Sequence, residues 1–431
     1  MNNKKTIFLL LIVASVFSVF IISVSIFYNP KFTKSEKEVS IKKIKKVANL
    51  PDRGKRDEIL FGCSISQTGY YKSEGESVIQ GYDLWVNKVN SEGGLKVNNK
   101  RYPVRIIYYD DQSMKESVRE NIEKLIHIDK VDFLLGPYSS GLTLVASKLA
   151  EKYGKILIET CGASEKIFSK DNQFTFGVLT TASWYLKDYF EMISKRTSGN
   201  LTFAVISVDN IFSKSVAKGA RIWGSRFNFN ELFYEEINMV ESSWSQVKKL
   251  LQENKPDIVV FAGHYQKSIQ FIKEVEKIKN FEPKSIVTTL GASQKDFVKD
   301  LGTLSENITG ISQWVPEANY NCPYFESSER YAEIFKQKYN HIPSYQNAAA
   351  TSGCLIYQLA IEKSKSLNAQ EVLKNIREIN TELFYGKFKF NSRGMNVLHS
   401  MVVIQIQEGK QRLVYPENLT NFDFVYPIYK K

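Results

Sequence analysis

From Glu58 onward the chain alternates short apolar runs with segments whose apolar residues recur at helical spacing, and this alternation narrows its fold more than any other feature. "EILFGCSIS" reads as a strand and "SVIQGYDLWVNKVN" as a helix. "YPVRIIYYDD", "VDFLLG" and "GKILIE" are further strands, separated by the helical "SVRENIEKLIHID" and "TLVASKLAEKYG". Order of this kind predicts a parallel sheet covered by helices on both faces. A second series starts near Thr202: "LTFAVISVD", a helix to about Phe227, "ELFYEEINM", "SWSQVKKLLQEN", "PDIVVFAG", "SIQFIKEVEKIK" and "SIVTTLG". Two successive Rossmann-like units predict two α/β lobes. The helical pattern resumes after "GISQWVP", and the strand-like "YGKFKF" and "SMVVIQIQEGKQRLVYP" follow.

The net charge of +12 suggests a nucleic-acid-binding surface until its distribution is examined. The first 56 residues hold 12 Lys and Arg against 3 Asp and Glu, whereas the other 375 hold 46 against 43. A nearly neutral body with a basic N-terminal arm does not present a phosphate-reading face. Ahead of that arm, Lys4 and Lys5 precede "TIFLLLIVASVFSVFIISVSIFY", which is uncharged. It exceeds a secretory apolar region of about 7–15 residues and matches the roughly 20 that span a bilayer. Residues 1–28 are therefore read as a signal anchor or signal peptide, with an N-terminal transmembrane helix expected. Residues 29–56 are read as a basic tether. The basic run favours a cytoplasmic position for its side of the membrane, but long domains translocate largely regardless of it, so the body is placed outside the cytoplasm.

Nothing in the chain points to catalysis. It has no HExxH, P-loop or G-x-S-x-G motif, and His127, His264, His341 and His399 lie far apart. Cys63, Cys161, Cys322 and Cys354 are scattered without CxxC spacing, so no metal, cofactor or assigned disulfide is expected. "LFGC" ending at Cys63 superficially fits a lipoprotein box, but a cysteine within a buried strand explains it better.

Two strand-to-helix turns are rich in hydroxyls: "GPYSSGLT" (136–143) and "TCGAS" (160–164). In an open parallel sheet, ligands bind beyond the carboxyl ends of the strands, where helix N-termini offer free N–H groups to anions. Ser and Thr there can serve as helix caps or as hydrogen-bond donors to a ligand carboxylate. The repetition of the chemistry favours a small-anion pocket.

With these segments in order, the chain resembles the type I periplasmic ligand-binding family, in particular the leucine/isoleucine/valine-binding branch of ABC-importer substrate-binding proteins. The likeness rests on "GCSISQTGYYKSEGESVIQGYDLWVNKVNSEGGL", "YPVRIIYYDDQS", "VDFLLGPYSSGLTLVASKLAEKYGKILIE", "PDIVVFAGHYQKSIQFIKEV" and "YGKFKFNSRG". It implies two Rossmann-like lobes with parallel sheets, joined by a multi-crossover hinge and closing on a ligand. Lobe 1 is expected at 57–180 and 316–380, lobe 2 at 181–315 and 381–431. By the same resemblance Ser140 and Ser164 hold a ligand carboxylate and Gly162 offers backbone. Phe212 and His264 stand where lobe 2 presents aromatics, and Glu74 replaces an aromatic of the first loop. Leu290 replaces the acid that pairs with the ligand's ammonium. The two cysteines of some relatives are Ser113 and Ser139 here, so that crosslink is absent. Trp184, Tyr185, Trp314 and Tyr345 could line the cleft, but for each alone core packing is the better reading.

The implied function is capture of a small carboxylate, an amino acid or a similar molecule, for an ABC permease. The alternative is a membrane-tethered sensor domain signalling through a partner. An enzyme is the third reading, with fold analogy alone behind it. Leu290 shifts the expected ligand toward a carboxylate with an apolar or aromatic body, unless Glu74, Glu159, Glu165 or Asp209 meets an ammonium from another direction. The anchor is checked by fractionation: the mature protein should stay with the membrane through Ile7–Tyr28, whereas an N-terminus beginning near Ile26 would show cleavage instead.

Overall fold

The computed structural model describes residues 56–197, 200–239, 244–420 and 422–428. The candidate membrane segment and most of the basic tether lie outside the described residues. Among the described residues no helix is long and apolar enough to cross a membrane.

Two sheets carry the fold. The first contains β1 (Ile59–Ile65), β2 (Val104–Asp110), β3 (Phe133–Leu135), β4 (Leu157–Glu159) and β5 (Thr175–Gly177). Their order is β2-β1-β3-β4-β5, and every pairing is parallel. The second contains β6 (Thr202–Val208), β7 (Asn230–Ile237), β8 (Ile258–Ala262), β9 (Ser285–Thr288), β10 (Thr309–Ser312), β11 (Val402–Gln407) and β12 (Lys410–Tyr415). Its order is β12-β11-β10-β9-β8-β6-β7. Strands β6 to β10 are parallel, and the β11–β12 hairpin adds an antiparallel edge. Central strands β1 and β8 are buried along their whole length, as expected of parallel strands covered on both faces. Cys63 lies inside β1, and all four cysteines are free and buried.

The helices are α1 (Lys72–Ser91), α2 (Lys115–His127), α3 (Ser140–Tyr153), α4 (Lys187–Arg196), α5 (Ile211–Arg226), α6 (Trp244–Asn254), α7 (Tyr265–Val275), α8 (Phe297–Leu301), α9 (Ser328–Tyr339), α10 (Tyr345–Ser364) and α11 (Ala369–Arg377). Two expectations need correction. Helix α1 starts early enough to include Glu74, which therefore sits in its first turn and not in a loop. The "TCGAS" turn leads only into a single 3₁₀ turn, Glu165–Ile167. The polar "SKDNQ" that follows supplies no apolar stripe to extend a helix, so no α-helix begins at that turn.

Three segments pass between the sheets, after β5, after β10 and before β11. Several of their buried polar groups pair with one another. The Gln313 side chain accepts from Thr180 N at 3.1 Å and donates to Thr180 O at 3.0 Å. Thr180 Oγ1 donates to His399 O at 2.8 Å. His399 Nε2 meets Gln313 O at 2.7 Å, which fixes the proton on that nitrogen. One amide and one imidazole thus tie three crossings together.

Helix α10, which follows the excursion through the second sheet, is buried nearly all round and crosses α1 closely. Thr351 Oγ1 donates to Gly81 O at 2.7 Å, and Asn347 Nδ2 to Ser77 O at 2.7 Å. A Cβ at Gly81 would stand 2.2 Å from Asn347 O. Glycine-to-alanine in an exposed helix interior gains about 1 kcal/mol. At this crossing Gly81→Ala should instead destabilise by about 1–3 kcal/mol through overpacking, measured by urea unfolding. A stabilised variant would show that the helices separate freely.

Candidate functional site

The residues singled out in the sequence emerge along the carboxyl edges of the two sheets. Glu74 follows β1, Ser140 follows β3 and Ser164 follows β4. Phe212, His264 and Leu290 follow β6, β8 and β9. All of them are buried.

The two hydroxyl turns are joined by a parallel bridge between Tyr138 and Cys161. Ser139, at φ +75° and ψ 145°, caps α3 by accepting from Leu142 N at 3.4 Å. Ser140 Oγ accepts from Ala163 N and from Ser164 N, each at 3.0 Å. A hydroxyl has two acceptor lone pairs and one donor. Both lone pairs are used, so Ser140 retains only its O–H for a further partner. Ser164 is committed differently. Its Oγ lies 2.8 Å from Ser215 Oγ on α5, and Ser215 donates its own proton to Ile211 O at 2.9 Å. Ser164 must therefore be the donor in a bond between the lobes. Gly162 packs against Thr143, whose Oγ1 would lie 2.7 Å from a Cβ there. Its N–H is given to Glu159 Oε2 at 2.5 Å and is not open to a ligand.

Aromatic rings from both sheets meet beside these turns. His264 has its ring centroid 5.2 Å from Tyr71, 5.8 Å from Tyr138 and 5.1 Å from Phe212. Tyr138 OH lies 3.3 Å from His264 Nδ1. Phe212 packs on Tyr185 at 5.5 Å. Tyr345 is buried nearby, whereas Trp184 is half-exposed against Trp223, and Trp314 donates its indole N–H to Phe384 O. Tyr71 and Tyr138 were not singled out from the sequence. Their signal was present, since both stand in quoted turn segments, "TGYYKSEGE" and "GPYSSG". Leu290 brings no polar group to the turn after β9, where Thr289 Oγ1 holds Gly263 N at 3.2 Å.

Burial governs the charges. It lifts the Glu74 carboxyl to about 7 and the Glu159 carboxyl to about 8, and it lowers His264 to about 4. These shifts disfavour each charged form, as desolvation does. Glu165 and Asp209 are otherwise engaged: Glu165 Oε1 accepts from Ser183 N at 3.0 Å, and Asp209 pairs with Lys214 at 2.7 Å. Among the described residues no group of side chains could hold a metal ion.

A family model for periplasmic binding proteins matches residues 58–411. The chain belongs to that family. It is 22% identical over 382 residues to the Leu/Ile/Val-binding protein homolog 7 of Brucella melitensis, covering 84% of this chain and 92% of that one. It superposes with TM-score 0.72 and 19% identity on the branched-chain amino acid transporter substrate binding protein of Streptococcus pneumoniae in complex with isoleucine, covering 86% of this chain and all of that one. A solute binding protein of an ABC transporter from R. palustris, in complex with benzoate, gives TM-score 0.71 at 16% identity, covering 83% and 95% of the two chains. The architecture of this periplasmic binding protein is thus the type I α/β fold with parallel sheets.

Glu159 gives the site region a pH signature. Its carboxyl titrates at an ordinary 4.5 when unfolded and at about 8 when folded. Between those values the folded protein keeps a proton that the unfolded chain releases, so this contribution to stability declines as pH rises. Glu159→Gln should remove a slope of up to about 1.4 kcal/mol per pH unit across this window. Urea unfolding at pH 5, 6.5 and 8 measures it, and parallel curves for both proteins would refute the assignment.

Proposed function

We propose that this protein is an extracytoplasmic solute receptor that captures a small carboxylate between its lobes and delivers it to an ABC importer. The ligand is an amino acid or a similar carboxylate, aromatic bodies included. Lobe 1 comprises residues 57–180 and 316–380, lobe 2 residues 181–315 and 381–431, and the N-terminal segment anchors both at the outer face of the cytoplasmic membrane. The observation that carries this reading is Ser140: with both lone pairs used by backbone N–H groups, its hydroxyl can act toward a ligand only as a donor. Donors select anions, and this one lies in a turn joined to the Ser164–Ser215 bond between the lobes. The isoleucine and benzoate complexes of two structural neighbours agree with a carboxylate ligand. Tyr71, Tyr138, Phe212 and His264 provide the apolar walls.

A thermal-shift panel of amino acids and aromatic acids tests the reading on the full-length protein. A ligand at 100 times its dissociation constant adds about 2.7 kcal/mol. Ser140→Ala should then weaken binding by about 1.5–3 kcal/mol, the worth of a charge-assisted bond. Ser164→Ala should cost about 1 kcal/mol, because a neutral bond that favours closure is lost. Unchanged affinity in both variants would reduce these serines to turn-holding roles.

A further inference from the structure

We infer that the chain carries a second ligand site, apart from the cleft, which takes a small organic dianion with an apolar body. The site is a cavity of about 510 Å³ between the turn after β9, the crossing after β10, the loop before α10 and the β11–β12 hairpin. Small-molecule sites are commonly concave spaces of about 300–1,000 Å³. The cavity shares no lining residue with the group around Ser140, Phe212 and His264.

Charge selects the ligand. Lys295, Lys410 and Arg412 line the cavity, and among the described residues Glu317 is the one acid that does so. With His341 neutral, three cations against one carboxylate leave two positive charges. Lys295 and Lys410 are exposed, and among the described residues none of the three cations is ion-paired. Arg412 is held over the Phe422 ring at 4.3 Å, a contact that orients its guanidinium without using an anionic partner. Val298, Val315 and Ile342 supply apolar wall, and Ile342 is 59% exposed. An inorganic anion would leave that surface in water, whereas an organic body would cover it.

A second, independent observation points to a ligand. Ser293 lines the cavity and is 7% exposed, and its hydroxyl has no hydrogen-bond partner. Buried hydroxyls are rarely left so, because the unmade bond costs free energy. An O–H without an acceptor is complementary to an anion. The turn that carries Ser293 is braced on two sides. Gln411 Nε2 donates to Ala292 O at 2.8 Å and to Gln294 O at 3.1 Å, and Gln346 Nε2 donates to Gln294 Oε1 at 2.9 Å. Of the elements so joined, α10 is bonded to the first sheet through Tyr357 and Leu134 O, while β12 is the edge of the second. The walls are therefore in place before a ligand arrives.

Calorimetric titration of the full-length protein with terephthalate, an aromatic dianion, tests the site, with inorganic sulfate as comparator. Terephthalate should bind the wild type at submillimolar concentration, tenfold or more tighter than sulfate, a difference of about 1.4 kcal/mol. The double variant Lys295→Gln/Lys410→Gln should weaken terephthalate tenfold or more while unfolding at the wild-type temperature. Ser293→Ala should weaken it several-fold with no loss of stability, because its hydroxyl has no partner to lose. Silence at millimolar terephthalate, equal binding of sulfate, or undiminished affinity in either variant overturns the inference. Terephthalate that ignores these substitutions but responds to Ser140→Ala is bound in the cleft, so the cleft reading stands while this one falls.

Discussion

A parallel strand can reach its neighbour only through a crossover, so the chain leaves every strand at the same edge of the sheet. Two such sheets in one chain place all their strand-to-helix turns along two edges. Tyr138, Ser164 and His264 come from those turns, and Glu74, Ser140 and Phe212 from the first turns of the helices that follow. What brings the edges together is the trio of crossings between the sheets. Their backbone is buried and must find partners internally. Gln313 pairs with Thr180 through both ends of its amide, and His399 ties in the third crossing.

The same burial sets the electrical character of the site. Carboxyl groups at 74 and 159 are pushed toward their neutral forms, and the imidazole at 264 is pushed toward its neutral form as well. Burial thus works against the charged form of each of these three groups. Neutral donors such as the Ser140 hydroxyl can hold an anion without a salt bridge.

Much of the architecture was legible because periodicity is a local property. Buried β1 and β8 read as continuous apolar runs, and α5 and α7 as stripes at helical spacing. The hydroxyl turns were legible for the same reason, as clusters of side chains in one short segment. How those hydroxyls are used was not. Ser140 and Ser164 look alike in sequence, yet one is saturated by N–H groups from the neighbouring turn and the other bonds across the lobes. That difference depends on partners 23 to 51 residues away. Glu74 was misplaced in a loop because "YYKSEGES" carries no apolar stripe. Its helix is held by tertiary contact, with Gly75 so close to Ser66 that a Cβ would stand 1.9 Å from the Ser66 carbonyl oxygen.

Ser139 shows how the fold fixes Ser140 in place. With φ near +75° and ψ near 145°, Ser139 lies close to a region that only glycine occupies easily, at a cost of about 1–3 kcal/mol for other residues. Such a backbone persists only where its surroundings over-determine it. Here Thr143 N and Thr143 Oγ1 both donate to Ser139 O, at 3.0 Å and 2.8 Å, while Ser139 Oγ accepts from Leu142 N. Glycine would relieve the strain but would lose the Oγ cap. Keeping serine fixes the first turn of α3 and, with it, the direction in which Ser140 receives the two N–H groups of the neighbouring turn. The strain at one residue thus helps fix where the next accepts its two hydrogen bonds.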